Sequence, residues 1–294
     1  YHLIFIVKIK FIMKVCIIGN GLTSLALAKV LVKKDIFVDI FYNQIPKKHT
    51  QTRTIGISKS NIEFFDKNIS NIKKISWNIK DIKIYTESSI KDEVINFSDS
   101  SSYLFSILKN DELYSQLSNE LKDNRFFKLK KIKNYKILNK KNYDLIINCD
   151  VKSEISKKFF FKKLKKNYNS QAYTTIFNHK KISSNYTAIQ IFTKNGPIAF
   201  LPISKTKTSV VFSIRNNNRL DETEIIKLIK KFNPKYQIEY ISDLSQFEIK
   251  SSNLRKYYHE NILAFGDLLH KIHPLAGQGF NMSLRDIKVL NELI

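Results

Sequence analysis

The sequence has few of the residues that build cross-linked or loop-rich proteins. It contains 2 Cys, 7 Gly and 5 Pro among 294 residues. Both cysteines, Cys16 and Cys149, lie in apolar runs typical of buried strands, so neither a disulfide framework nor a Cys-x-x-Cys metal site is available. Since 43% of the residues are hydrophobic, the chain can bury a sizeable core. We expect a globular protein of one large or two interleaved domains in a reducing cytoplasm.

Acidic residues and Arg are also scarce. There are 26 Asp and Glu against 50 Lys and Arg, and only 6 of the basic residues are Arg. The net charge of +24 would attract polyanions, but the Lys residues are spread along the chain and no Arg-rich or aromatic recognition module occurs. We therefore expect no nucleic-acid partner.

One segment, Lys157–Lys166, concentrates cations around three Phe residues. It fits two interpretations, a solvated segment with buried aromatics or a surface that docks on an anionic membrane.

Tyr1–Ile12 carries two Lys and is too short to span a bilayer, which predicts a location in the cytoplasm or at the inner face of the membrane. Because the first Met is Met13, residues 1–12 are expected to be a non-native extension. Helical spacing that runs to the last residue indicates a truncated C-terminus.

The chain begins with the pattern of a doubly wound dinucleotide-binding domain. The apolar run Lys14–Ile18 predicts a buried parallel strand, and Gly19-Asn20-Gly21, a helix over Leu22–Lys33 and a strand over Phe37–Tyr42 follow it. Further helices are predicted by the capping pairs Ser60 with Glu63 and Asp221 with Glu224. No strand pair is recognisable in Phe126–Asn142.

Between Tyr186 and Arg215 the pattern changes to period-two alternation, with Asn195-Gly196 as a hairpin turn. The predicted fold class is therefore α/β, a doubly wound (Rossmann-like) cofactor domain with an inserted antiparallel sheet domain. We assign residues 13–80, 100–165 and 250–294 to the cofactor domain and residues 81–99 and 166–249 to the sheet domain.

Two motifs carry the chemistry. In Gly19-x-Gly21-x-x-Ser24, the glycines allow a pyrophosphate to approach the N-terminus of the first helix, and Asn43 ends the second strand, where a ribose hydroxyl would be bound. The second motif runs from Gly266-Asp267 through His270-x-x-His273-Pro274 to Gly277-Gln278-Gly279-x-Asn281. Asp267 can bond a polyol, and the Gly277–Gly279 loop bares N–H groups that would stabilise an anion. His270-x-x-His273 lacks a third ligand, so no metal site is predicted.

The second motif resembles the second FAD motif of class A flavoprotein monooxygenases, the para-hydroxybenzoate hydroxylase-like proteins. His270, Ile272–Ala276 and Arg285-Asp286 resemble the ubiquinone-biosynthesis hydroxylases within that class. Arg53–Ser58 resembles the segment whose Arg lies near the flavin. Leu268-Leu269 replaces a pair of small residues, and Val151 and Ser283 stand where the family has Gly.

The resemblance implies an FAD-dependent monooxygenase that hydroxylates the aromatic ring of a ubiquinone precursor with NAD(P)H and O2. Its partners would be a hydrophobic, polyprenylated substrate, the membrane surface and other ubiquinone-biosynthesis proteins. No catalytic base is identifiable. Two alternatives remain open: a non-catalytic homologue acting as a flavin- or lipid-binding subunit, and a flavin monooxygenase of another aromatic compound. The predicted FAD-binding residues are Gly19, Gly21, Ser24, Asn43, Arg53, Asp267, Pro274, Gly277, Gln278, Gly279 and Asn281.

Overall fold

The computed structural model describes residues 13–43, 53–89, 92–99, 101–132, 142–215, 220–272 and 278–294. In chain order, the strands are β1 Lys14–Ile18, β2 Phe37–Tyr42, β3 Thr54–Ser58, β4 Ser76–Ile79, β5 Asp81–Thr86, β6 Ile95–Ser98, β7 Phe105–Lys109, β8 Phe127–Lys131, β9 Leu145–Asn148, β10 Lys163–His179, β11 Thr187–Thr193, β12 Gly196–Pro202, β13 Lys207–Arg215, β14 Ile238–Ile241, β15 Ser245–Leu254, β16 Tyr258–His259, β17 Ile262–Ala264 and β18 His270–Lys271. The α-helices are α1 Leu22–Val32, α2 Lys59–Asn68, α3 Asn110–Lys122, α4 Glu154–Phe159, α5 Glu222–Lys231 and α6 Gln278–Leu293.

A six-stranded sheet in the order β16-β17-β9-β1-β2-β8 forms the centre of the predicted cofactor region. Its strands are parallel from β17 to β8, and only β16 pairs antiparallel. Parallel strands need crossover connections that cover the faces of the sheet with helices, which is the doubly wound arrangement that the strand pattern predicts.

Strand β1 shows why this sheet is buried on both faces. Val15 and Ile17 belong to a core cluster that includes residues of α1, α2, α3 and α6. Cys16 and Ile18 point to the opposite face and pack in a second cluster, with Ile155 of α4. Successive side chains of a strand face opposite sides. A strand that is buried on both faces therefore needs apolar side chains on both, as β1 has.

The large sheet contains nine strands, with the order β18-β15-β10-β13-β12-β11-β5-β6 and β14 paired to β10. Its pairs are antiparallel except β5 with β11. One face packs against α5 in a core that includes Phe177, Phe200, Phe212, Ile225 and Ile229. A third, smaller sheet has the order β3-β7-β4. The predicted combination of a doubly wound α/β region with an antiparallel sheet is confirmed.

The predicted helix starts had different outcomes. The side chain of Asp221 accepts a hydrogen bond from the Glu224 N–H at 2.8 Å, and the Glu224 carboxylate accepts one from the Asp221 N–H at 2.9 Å, so this capping box is confirmed. The cap predicted at Ser60 is wrong, because α2 already begins at Lys59, after Ser58. Among the described residues, no helix combines the length and apolar character needed to cross a membrane.

We predict that Gly196→Ala destabilises the fold strongly. Gly196 has φ +134°, and a Cβ there would lie 2.0 Å from the carbonyl oxygen of Ser213 in the neighbouring strand. Backbone strain of this kind costs about 3 kcal/mol, which urea unfolding followed by circular dichroism would measure. The control is Gly279→Ala in α6, where an added Cβ meets nothing within 4 Å and Ala favours the helix. Equal unfolding midpoints for the two variants would contradict the prediction.

Candidate functional site

The first glycine of the N-terminal motif ends β1 in a left-handed conformation. Gly19 has φ +99°, and its N–H donates to the carbonyl of Phe41 at 2.8 Å. A Cβ at this position would lie 3.3 Å from both Cβ and N of Asp150, in the turn after β9. Gly19 therefore lets three neighbouring strand ends approach each other at the carboxyl edge of the parallel sheet, where ligands of doubly wound sheets bind.

The second glycine borders open space. Gly21 is the N-cap of α1, with φ −74°, and no side chain caps the helix. A Cβ added to Gly21 meets nothing within 4 Å. Because the first N–H groups of a helix have no partner within it and carry the positive end of its dipole, this position can receive an anionic group such as a pyrophosphate.

The other residues predicted near the first motif lie at different depths. Ser24 is completely buried in the first turn of α1, where a small side chain permits close helix–strand packing. Asn43 is exposed directly after β2, the neighbour of β1. The structure thus brings Asn43 to the same sheet edge as Gly19 and Gly21.

The second motif packs directly against the first. Gly266 follows the β17 region with φ +60°, and a Cβ there would lie 3.1 Å from Cγ2 of Thr23 in the first turn of α1. Only a residue without a side chain adopts this conformation easily and leaves room for Thr23. The contact joins two motifs that are far apart in the sequence into one site.

Asp267 lies at the wall of this junction. Asp267 keeps part of its surface exposed to solvent, but nearby protein atoms partly desolvate its carboxyl group, which raises the pKa of that group. The cations Lys271, His270 and Arg53 oppose the shift in pKa. The carboxyl group is therefore close enough to Arg53 to feel its charge, and it can accept hydrogen bonds from hydroxyl groups in the crevice.

Arg53 stands between the predicted cofactor edge and the large sheet. Its guanidinium carbon lies 4.8 Å from the ring centroid of Phe247 in β15, a cation–π contact. The next residue, Thr54, makes a hydrogen bond of 2.9 Å between its Oγ1 and Oγ of Ser209 in β13. These contacts attach β3 to the face of the large sheet.

Asn281 connects α6 to β3 and α2. Its Nδ2 donates to the carbonyl of Gly56 at 2.7 Å, and its Oδ1 accepts from the Ser58 N–H at 3.0 Å and from Nδ2 of Asn61 at 2.8 Å. These contacts position the segment that carries Arg53. A direct contact of Asn281 with FAD stays a prediction.

The start of α6 contains the remaining predicted residues. Gln278 is exposed, and Gly279 borders open space. Pro274 and Gly277 lie outside the described residues.

Two departures from the family pattern fit the fold without strain. Leu268 is completely buried in the cluster that contains Cys16 and Ile18, so its bulk lies within the core. Val151 is exposed, and it is not among the non-glycine residues with positive φ. The turn after β9 therefore does not require glycine at Val151.

One interaction in the second motif was not predicted as a pair. Nε2 of His270 lies 2.6 Å from Oδ2 of Asp286 in α6, and Nδ1 of His270 is buried without a hydrogen-bond partner among the described residues. The pair ties β18 to α6. Both residues are among those that resemble the ubiquinone-biosynthesis hydroxylases, but their contact could be inferred only once α6 was placed beside β18.

Comparison with known proteins agrees with this site. The model of the family described as FAD binding domain matches residues 144–293, just over half of the chain. The chain belongs to this family. The second motif, Gly266–Asn281, lies within the matched range, and the first glycine motif, Gly19–Ser24, lies before it.

Two curated relatives match parts of the FAD binding domain. The 3-demethoxyubiquinol 3-hydroxylase of Escherichia coli (strain K12) is 31% identical over 112 residues, which are 36% of this chain and 28% of that protein. The ubiquinone biosynthesis monooxygenase COQ6 of Danio rerio is 24% identical over 171 residues, 45% of this chain and 35% of that protein. The matched segments thus span about a third of the length of these relatives.

Solved structures show the same fold. Pseudomonas aeruginosa PqsL in complex with 2-aminobenzoylacetate has a TM-score of 0.76 and 13% identity, covering 95% of this chain and 85% of that one. The tetrameric form of 2-methyl-3-hydroxypyridine-5-carboxylic acid oxygenase has a TM-score of 0.76 and 11% identity, covering 96% and 82%. At these identities the likeness concerns the fold alone.

We predict that the His270–Asp286 pair makes stability fall as pH rises. The hydrogen bond with Asp286 raises the pKa of His270, so its contribution is complete below the unfolded value of about 6.5 and is lost as pH rises through the folded pKa. Asp286→Asn should remove this fall, which we expect to amount to on the order of 1 kcal/mol in the free energy of unfolding. Urea midpoints across the pH range would measure it.

The control is Glu292→Gln, which removes an exposed carboxylate from the same helix. It should keep the wild-type pH profile. A wild-type midpoint that does not fall from neutral to alkaline pH, or an identical profile for Asp286→Asn, would contradict the prediction.

Proposed function

We propose that this FAD binding domain belongs to a monooxygenase that hydroxylates the aromatic ring of a ubiquinone precursor. In the overall reaction O2 supplies one oxygen atom to a ring C–H bond and one to water, while NAD(P)H supplies two electrons and, with one further proton from solvent, the hydrogen of water. The observation that supports the proposal is the junction of Gly266 with Thr23, since Asp267 directly follows Gly266 and Thr23 lies in the first turn of α1, whose N-terminus is uncapped.

The residues at this junction fit FAD. A Cβ at Gly21 would meet no protein atom within 4 Å, and we propose that Gly19, Gly21 and Ser24 hold the pyrophosphate in this open space. Asn43 would bind the ribose and Asp267 the ribityl chain. When bound, FAD supplies the redox chemistry that amino-acid side chains lack.

The other predicted residues would surround the ring system. We place Arg53, Pro274, Gly277, Gln278 and Gly279 there. Asn281 acts on this region by fixing β3 through hydrogen bonds with Gly56 and Ser58, and α2 through one with Asn61. The protein's task is to orient the ring system, exclude water and hold the aromatic substrate close.

The contact between Arg53 and Phe247 supports a substrate position between the cofactor edge and the large sheet. A planar ring bound there would meet an apolar face on β15 and a cation at the start of β3. We accordingly assign residues 81–99 and 166–249 to substrate binding, and residues 13–80, 100–165 and 250–294 to FAD binding.

The names of the relatives support the substrate class. Both the Escherichia coli hydroxylase and COQ6 are named for ubiquinone chemistry. A polyprenylated precursor would be drawn from a bilayer, so we also propose that the protein works at the inner, cytoplasmic face of a membrane together with other ubiquinone-biosynthesis proteins.

We predict that Gly21→Ser separates folding from FAD binding. Ser is a favourable N-cap residue, and the φ of Gly21 suits it, so the unfolding midpoint without FAD should stay the same or rise. The new side chain would occupy the proposed pyrophosphate space, and FAD affinity should fall about tenfold or more, an energy of about 1.4 kcal/mol. Fluorescence titration with FAD would measure it. Unchanged affinity in a folded variant would refute the proposed pyrophosphate site.

We predict that the purified, FAD-loaded chain oxidises NADPH in the presence of O2 and a short-tailed demethoxyubiquinol-type phenol. Mass spectrometry should find a product with one additional oxygen atom, labelled when the gas is ¹⁸O2. The matched control is Asp267→Ala, which should bind FAD more weakly.

Other outcomes select the alternatives. FAD binding without NADPH oxidation would indicate a flavin-binding subunit, and hydroxylation of a different phenol would keep the reaction class but change the substrate. A folded chain that does not bind FAD would refute the proposed reaction.

A further inference from the structure

Four large apolar side chains project into solvent from two distant parts of the sequence. Phe161 and Leu164 are 62% and 56% exposed, and Tyr257 and Tyr258 are 54% and 64% exposed. Burial of such side chains normally stabilises a fold. Their exposure within a short stretch of surface marks an interaction site.

The fold brings these two segments together. The N–H of Arg255 donates to the carbonyl of Lys162 at 3.1 Å, and Lys163 pairs with Leu254 where β10 meets β15. The ring of Phe159 stacks on His259, with centroids 4.1 Å apart and an interplanar angle of 16°. Three independent contacts thus hold residues 157–165 beside residues 255–258, and we call this surface the aromatic-cationic patch.

Cations surround the apolar side chains of the aromatic-cationic patch. Its exposed basic residues are Lys157, Lys158, Lys162, Lys165, Arg255 and Lys256. The two flanking acidic residues, Glu154 and Glu260, lie at the outer ends of the two segments. The patch is therefore strongly positive where its apolar side chains are exposed.

This combination matches the surface of an anionic bilayer. Lys and Arg attract anionic headgroups, while Phe, Leu and Tyr enter the boundary between headgroups and acyl chains. A second copy of the chain would bring like charges together, which disfavours self-association through the patch. We propose that the aromatic-cationic patch docks the protein on a membrane rich in anionic lipids.

The position of the patch gives this docking a use. The N–H of Leu254, directly before Arg255, donates to the carbonyl of Leu269 at 3.0 Å, and β15 pairs with β18. The second FAD motif thus begins next to the patch, so docking would bring the cofactor crevice close to the lipid surface. The lipid contact stands on its own, whereas its role in supplying a polyprenylated substrate rests on the proposed function.

The experiment is co-sedimentation of the 294-residue chain with vesicles. Vesicles of phosphatidylcholine and phosphatidylglycerol in equal parts should bind the protein, and pure phosphatidylcholine should bind it about tenfold less or weaker. Added salt should release it. Equal binding to both vesicles, or binding to neither, would overturn the proposal.

Two patch variants locate the contact. The first variant removes four positive charges from the patch and should reduce binding to the anionic vesicles about tenfold or more. It combines Lys157→Ser, Lys162→Ser, Lys165→Ser and Lys256→Ser. The matched control, which removes the same charge from exposed positions elsewhere, is Lys73→Ser, Lys74→Ser, Lys180→Ser and Lys181→Ser, and it should change binding less than about twofold.

The second variant tests the apolar side chains. It combines Phe161→Ser, Tyr257→Ser and Tyr258→Ser and should weaken binding to the same vesicles. The control removes aromatic side chains of similar exposure elsewhere, with Phe97→Ser, Phe192→Ser and Tyr240→Ser, and should leave vesicle binding unchanged. Equal loss in patch and control variants would overturn the proposal, as would patch-dependent self-association without vesicle binding.

Flavin absorbance and the unfolding midpoint of each variant report whether it is folded. Activity on a soluble, tail-free phenol should be unchanged in the patch variants, since docking serves only membrane-held substrates. Failure of the proposed reaction would leave the vesicle result intact, and failure to bind vesicles would leave the reaction intact, so the two proposals are tested separately.

Discussion

The contact between Gly266 and Thr23 is the constraint on which the candidate site depends. Gly266 combines a left-handed backbone with a space that leaves 3.1 Å between an added Cβ and the Thr23 side chain. If α1 moved away to admit a side chain, the helix N-terminus at Gly21 would leave the wall that carries Asp267. A backbone requirement at one residue thus sets the spacing between the N-terminus of α1 and Asp267, to which we assign the pyrophosphate and the ribityl chain of FAD.

The large sheet is attached to this junction through β3. Asn281 holds β3 from one side with hydrogen bonds to Gly56 and Ser58, and on the other side Thr54 contacts Ser209 while Arg53 contacts Phe247. The start of α6 and the face of the large sheet are therefore coupled by one short strand. A shift of α6 would therefore displace β3 and Arg53, so Asn281 influences the geometry of the site through its contacts with β3.

Sequence patterns predicted those strands and helix caps that are determined by residues close together in the sequence. β1 is apolar on both faces because both are buried, one under α1, α2, α3 and α6 and the other under α4 and the end of β15. Asp221 and Glu224 form a cap from neighbouring residues. β8 escaped prediction because its Lys residues obscure the pattern, and its place is set by parallel pairing with β2, where Lys130 also donates to Asp39 at 2.8 Å. In the same way, the glycine motifs identify the cofactor edge, but nothing near Phe247 in the sequence indicates that it meets Arg53. Such partners depend on strand order, which the sequence does not state.

The substitutions at Val151 and Leu268 are explained by where the structure places the two side chains. At Val151 the backbone does not adopt the left-handed conformation that requires glycine, and the side chain points to solvent. Leu268 turns away from the crevice and fills the core beside Ile18. Both side chains therefore occupy places that suit their size. Asn43 differs, because we assign it to the ribose, and an amide lacks the charge that strengthens the hydrogen bonds of a carboxylate. The packing at Val151 and Leu268 thus leaves the proposed FAD site intact, whereas the amide of Asn43 would weaken the proposed ribose contact.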